Sequence, residues 1–313
     1  MFFVDFPDAI ANDTTQSLYD KFFPESQQWY DTSSYGRLNL TVDADKSKFY
    51  RMANPSSFYT WNRSGPKMGA YMRDAVAAIG TSYKYSPSDV VYIVPTRNAA
   101  QISFSPTSTS PLKMADGTRM GAAVTFGQDL HLKWGYKVLN HETGHVMGLP
   151  DLYPPDGLKL PVGAWAGGFD IMGLINGTSP ELLAWHKWKL GWIDDNQVDC
   201  ISTAGTTKHS LDPIEVPGGT KMVTVRLNNT AVLAFEVRTD LAQDKGSCSQ
   251  GLLPYVVRTD GGYSAPPIKV IDTHPSLAGC HMNRGGHLNS SPLDFGKEQK
   301  IDLPEYGVQV TLD

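Results

Sequence analysis

The sequence predicts a mixed α/β (α+β) domain over about residues 1–197 followed by an all-β, sandwich-like domain over about 198–313, and three observations carry that reading. Short apolar runs interleave with helical patterns as far as Gly191-Trp192, as expected when strands and helices share one domain. Beyond that dipeptide, residues 221–227, 231–238, 252–258, 268–271 and 307–312 all read as strands separated by turn clusters. The composition, with 25 Asp against 7 Glu, 29 Gly and 21 Pro, favours turns over helix interiors, so long helices should be few.

Taken in order, residues 2–6 (FFVDF) form a short buried strand that breaks at Pro7-Asp8. Residues 35–42 alternate with period two and predict a half-buried strand, while Met68, Tyr71, Met72, Val76 and Ala77 mark a helix within 66–79. The β-branched run 90–94 reads as a central strand covered on both faces. Residues 99–118 are rich in Ser, Thr and Pro and predict a surface loop, followed by an edge strand at 120–126 able to take a peptide as an added antiparallel strand. The longest helix is expected from Leu130 to Met147, with Asp129 as N-cap and Gly148 as left-handed C-terminal cap. A second is expected from Pro180 to Lys189.

Charge and hydropathy exclude several classes of protein. With 27 Lys plus Arg against 32 Asp plus Glu and no basic stripe, the chain lacks the footprint of a nucleic-acid binder. No apolar run approaches the roughly 18 residues that span a bilayer, and the expectation is a monomer with no membrane span. Glycosylation acceptors at Asn12, Asn39, Asn62, Asn176, Asn228 and Asn289 point to an extracellular, secreted glycoprotein. The opening MFFVDF is too short for a signal peptide, so the secreted form would have lost one. Three cysteines permit one disulfide bond, expected between Cys248 and Cys280, with Cys200 left over.

The chemistry concentrates in His141-Glu142-Thr143-Gly144-His145. On a helix, side chains four apart share a face, so both imidazoles can reach one metal ion while Glu142 lies beside a water on that metal. With 8 His and 7 Glu in 313 residues, chance would produce the pattern only about 0.005 times. The run continues as HExxHxxGxxD: Gly148 turns the chain back, and Asp151 can be the third ligand. Zinc accepts imidazole nitrogen and carboxylate oxygen, and three protein ligands leave the open position a catalytic site requires. Downstream, Met172 in a glycine-flanked turn can form an apolar floor. Asp-rich loops, including Asp5 and Asp8, leave room for structural calcium.

HETGHVMGLPDLY followed by FDIMG resembles the metzincin clan of zinc peptidases, and most closely the immune-inhibitor-A-like family of secreted metallopeptidases. VDFPD, SSYGRLNL and the Pro180–Trp192 ending extend the likeness over most of residues 1–195, and the Asp-ended zinc motif is similar to that of snapalysin. The resemblance implies a zinc endopeptidase acting on proteins or peptides, with Met172 as the clan's Met-turn. His141, His145 and Asp151 would hold zinc, Glu142 would be the general acid–base, and Tyr153 would donate to the oxyanion. Metzincins more often use His as third ligand and some zincins a Glu from a later helix, which leaves Glu181 as the alternative to Asp151. The rival function is a non-catalytic secreted zinc protein that binds partners through its β-rich domain; a third, a carbohydrate-binding module, rests on aromatics such as Tyr255 and Tyr263.

Overall fold

Alternation along the buried strands assigns the first sheet its two faces. The computed structural model describes residues 1–62, 67–81, 83–114, 117–262, 264–277, 286–297 and 300–313. Its N-terminal strands are β1 (Phe2–Asp5), β2 (Tyr50–Arg51), β3 (Val90–Pro95), β4 (Thr107–Ser108), β5 (Leu112–Lys113), β6 (Arg119–Met120) and β7 (Ala122–Thr125). They form a five-stranded sheet in the order β2-β1-β3-β7-β4, parallel except for β4, with β5 and β6 as a separate hairpin. Phe2, Val4, Val91, Ile93 and Ala123 point to one core, which the helix Met68–Ile79 closes with Tyr71, Met72, Ala75 and Val76. Phe3, Tyr92, Val94 and Val124 point to the other, closed by Val138 and Leu139 of the helix Gly135–Val146. Every position of β1 and β7, and of β3 beyond Val90, is thus buried on one side or the other, which is why these strands read as continuous apolar runs. Among the described residues the α-helices in chain order are α1 (Thr15–Tyr19), α2 (Glu25–Ser33), α3 (Met68–Ile79), α4 (Gly135–Val146) and α5 (Ala184–Lys189).

Four sequence expectations are corrected. Residues 35–42 form no strand, because Tyr35 and Gly36 both adopt positive φ (57° and 78°) and Gly36 N–H closes a turn on the Asp31 carbonyl. The segment expected as an edge strand at 120–126 is interior: β7 lies between β3 and β4, with Val124 opposite Thr107, so β4 is the edge. The long helix begins at Gly135 rather than Leu130, because the chain first makes a 3₁₀ turn over Gln128–His131. A Cβ on Gly135 would lie 1.9 Å from the Leu130 carbonyl oxygen, and Asp129 accepts from Ser105 N and Oγ rather than capping the helix. The helix expected over 180–189 is confined to α5, for a reason that lies in the second unit.

That unit is built on β8 (Val198–Ile201), β9 (Met222–Arg226), β10 (Ala231–Arg238), β11 (Gly251–Arg258), β12 (Ile268–Val270), β13 (Lys300–Leu303) and β14 (Val308–Thr311). The first five make one sheet, β12-β11-β10-β9-β8, antiparallel except for β8 with β9. The hairpin β13–β14 adds Leu303 to a core with Leu233, Phe235, Leu252 and Val256, so the second layer is a two-stranded ribbon rather than a full sheet. The chain divides into Met1–Gln28 with Asn39–Leu149 and Trp29–Leu38 with Pro150–Asp313, whereas the sequence places a boundary near 197.

Residues 150–197 go with the β-rich part because they share its polar core. Four consecutive N–H groups donate to buried carboxylates: Glu181 to Asp244 (2.9 Å), Leu182 to the Glu181 side chain (2.8 Å), Leu183 to Asp170 (2.9 Å) and Ala184 to Glu236 (2.7 Å). Those bonds replace the first helical turn, so α5 starts late. Arg238, 1% exposed, pairs with Glu236 (3.1 Å) and Asp244 (3.1 Å) and donates to the carbonyls of Phe169, Ser179 and Glu181. Lys187, fully buried, pairs with Glu181 at 3.2 Å and lies 4.2 Å from the Tyr35 ring centre.

Burial pushes the Glu236 carboxyl up to about 7, although Arg238, the Ala184 N–H and the Tyr255 hydroxyl all favour its charged form. Because the folded pKa lies above that of an unfolded glutamate, the contribution is fully present below roughly pH 4.3 and is lost as pH rises through about 7. Urea midpoints should therefore fall between pH 5 and 8, and Glu236→Gln should make that fall shallower; an identical slope would show that Glu236 is already charged in the fold.

No helix among the described residues is long and apolar enough to cross a membrane. Cys200 is free and exposed, and Cys280 of the expected Cys248–Cys280 bridge lies outside the described residues. Asn12, Asn39, Asn62, Asn176 and Asn228 are exposed, whereas Asn289 is only 4% exposed in the folded chain. Tyr255, expected on an exposed turn, is fully buried with its hydroxyl on Glu236; Tyr263 lies outside the described residues.

Candidate metal centre

Helix α4 is held to the first sheet by its apolar side and by one polar pin. Tyr92 Oη on β3 lies 2.8 Å from Thr143 Oγ1, which donates to the Leu139 carbonyl at 2.7 Å; Tyr92 is therefore the donor in the first contact. The helix ends as Gly148 requires: at φ 86° its N–H donates to the His145 carbonyl, and Leu149 N–H reaches back to Gly144. This paired termination turns the chain sharply and delivers Asp151 to the histidines.

The two histidines stand one turn apart with Nε2 atoms 3.2 Å from each other. Nitrogens bound to one tetrahedral zinc at about 2.0–2.1 Å would be about 3.3–3.4 Å apart, so the spacing suits a shared ion. His145 Nδ1 lies 2.9 Å from the Leu149 carbonyl. Since a carbonyl can only accept, Nδ1 carries the proton and Nε2 is left with its lone pair for metal. Ligand atoms of His141, His145 and Asp151 all lie within 4.8 Å of one another. Asp151 stands two residues past the point where the two units part, on the same run of chain. Two imidazoles and a carboxylate form a donor set that zinc accepts.

Glu142 is 5% exposed, and its Oε2 accepts from Thr107 Oγ1 at 2.6 Å. Thr107 Oγ1 is also 3.0 Å from the Glu142 carbonyl, so one hydroxyl spans both. Sequence reasoning missed Thr107, which belongs to a Ser/Thr-rich stretch without any pattern. Its role becomes visible only once antiparallel pairing sets β4 beside β7.

Met172 is fully buried. Its N–H donates to Asp170 Oδ1 (2.8 Å), and its carbonyl accepts from Leu152 N–H (2.8 Å), the residue following Asp151. Asp170 is in turn bound by Leu183 N–H and His186 Nδ1. Tyr153 is half-buried two residues beyond Asp151. Glu181, the alternative third ligand, is instead bound to Ser33 Oγ, Leu182 N–H and Lys187. Among the described residues no second group of three such side chains lies close enough to share an ion. Asp5 is engaged by Arg51 and Ala11 N–H, and Asp8 by Ser56. No protein-family model matches the chain, and no curated protein matches it significantly.

Proposed function

We propose that the chain is a secreted zinc endopeptidase of the metzincin type, similar to the immune-inhibitor-A-like family, that hydrolyses peptide bonds in proteins. One observation carries the reading: an HExxH helix sets two imidazole nitrogens 3.2 Å apart, with Asp151 beside them and the intervening Glu142 held by Thr107. A purely structural zinc site has no use for a buried, oriented carboxylate, and it is closed by a fourth protein ligand.

His141, His145 and Asp151 would hold zinc, which when bound supplies a Lewis acid that activates water and polarises a peptide carbonyl. Glu142 takes the proton of the attacking water and passes it to the leaving amine. Thr107 donates to one carboxylate oxygen and so holds the carboxylate in one orientation. Leu149, by accepting from Nδ1, fixes the ring of His145. Tyr153 is the proposed donor to the oxyanion. Main-chain groups on the outer side of β4 offer a substrate peptide an antiparallel track, which favours broad specificity.

Hydrolysis of a quenched casein substrate, measured with and without a zinc chelator and beside metal analysis, tests the proposal. Chelation should abolish cleavage in a sample holding about one zinc per chain. Zinc without cleavage would favour the non-catalytic binding protein, and no zinc would overturn the metal site itself.

A further inference from the structure

The face of the second sheet opposite the β13–β14 hairpin is only partly covered. Register places Cys200, Thr224, Arg226, Val232 and Val257 on one side of it, away from Leu233 and Val256 of the hairpin core. Helix α5 lies on that side at Tyr255 and Glu236, and beyond it a cleft of about 340 Å³ remains open. Trp185 and Trp188 form its wall, edge to face at 5.4 Å, with Val232 and Val257 on its floor. Its rim is the β9–β10 turn, which carries Asn228-Asn229-Thr230, an N-glycosylation acceptor.

The acceptor is arranged for modification. Asn228 is exposed, and its Oδ1 accepts from Thr230 N (2.8 Å) and Thr230 Oγ1 (3.1 Å). The amide is therefore fixed through its oxygen, while Nδ2 makes no hydrogen bond to a described residue. A pyranose ring presents an apolar C–H face and a rim of hydroxyls. An indole wall edged by Asn, Thr and Arg side chains complements both.

We propose that Asn228 carries an N-linked glycan whose first sugars fold back into this cleft and cover Trp185 and Trp188. In the modification, the C1–O bond of a lipid-diphosphate-linked oligosaccharide breaks and a C1–Nδ2 bond forms; the amide proton leaves with the lipid diphosphate. The inference rests on the reading of the chain as secreted and is independent of the metal centre. The exposed acceptors Asn12, Asn39, Asn62 and Asn176 lie outside the lining of this cleft and serve as controls.

The test is expression of the full chain through a yeast secretory pathway, with peptide mass spectrometry at each acceptor and tryptophan emission before and after glycosidase treatment. Asn228 should be occupied, its glycan should be removed more slowly than the others, and removal should red-shift the emission. Trp188→Ala should leave occupancy unchanged and speed release by about five-fold, the worth of one good aromatic contact. Glycans on the control sites with Asn228 bare would overturn the proposal while leaving secretion intact. Removal from Asn228 at the control rate with unchanged emission would overturn it as well, and glycans at none of the sites would remove its basis.

Discussion

On the proposed peptidase reading, Glu142→Gln should keep bound zinc and its thermal midpoint while kcat on a peptide substrate falls about 10²–10⁴-fold, the range general acid–base catalysis supplies. The amide has nearly the shape of the carboxylate and can still accept from Thr107, so the helix, the histidines and Asp151 keep their places. What it loses is the ability to take a proton. Thr107→Val makes a useful companion, because it leaves the carboxylate in place but removes the 2.6 Å bond that aims it. A hydrogen bond to a charged group is worth about 1.5–3 kcal/mol, so a loss of about 10–100-fold is expected, seen in kcat rather than KM. An unchanged rate in the glutamine variant would end the role assigned to Glu142, whatever the metal content.

Legibility in the sequence follows the distance over which a feature is specified. The His141–His145 pairing is local, since four residues on a helix settle it, and Gly148 announces the turn because few other residues adopt its φ of 86°. Strands β3, β9, β10 and β11 were readable for the same reason: each is a run of apolar or alternating residues whose burial needs no distant partner to be inferred. The failures are non-local. Helical patterning over 180–189 is real, but Asp170, Glu236 and Asp244 capture the N–H groups that its first turn would use. Thr107 meets Glu142 through sheet pairing, and Arg238 on β10 binds carbonyls of Phe169 and Ser179, a contact that ties residues 150–197 to the β-rich sheet. The membership of a charged residue in a buried network cannot be read from its neighbours in sequence.

That network makes Arg238 the residue whose loss should cost the fold most. Arg238→Met keeps much of the side-chain volume but strands Glu236 and Asp244, together with the carbonyls of Phe169, Ser179 and Glu181, in a core with no access to water. Breaking one side of a buried ion cluster costs about 3–5 kcal/mol, a large share of the roughly 5–15 kcal/mol that holds a domain together. Because burial raises the Asp244 and Glu236 carboxyls even with Arg238 present, its removal should leave both protonated at neutral pH, so the loss should be smaller in acid than at pH 8. The damage should also reach the proposed metal ligands by a traceable route. Arg238 fixes the Phe169 carbonyl, Asp170 fixes the Met172 turn, and the Met172 carbonyl fixes Leu152 beside Asp151. Metal affinity should therefore fall in any folded fraction of the variant, although Arg238 is no ligand. Urea unfolding at pH 5 and pH 8, with zinc titration of Arg238→Lys in case the methionine variant does not fold, decides the matter. Stability within about 1 kcal/mol of the parent at both pH values would mean that the cluster is not what joins residues 150–197 to the β-rich sheet.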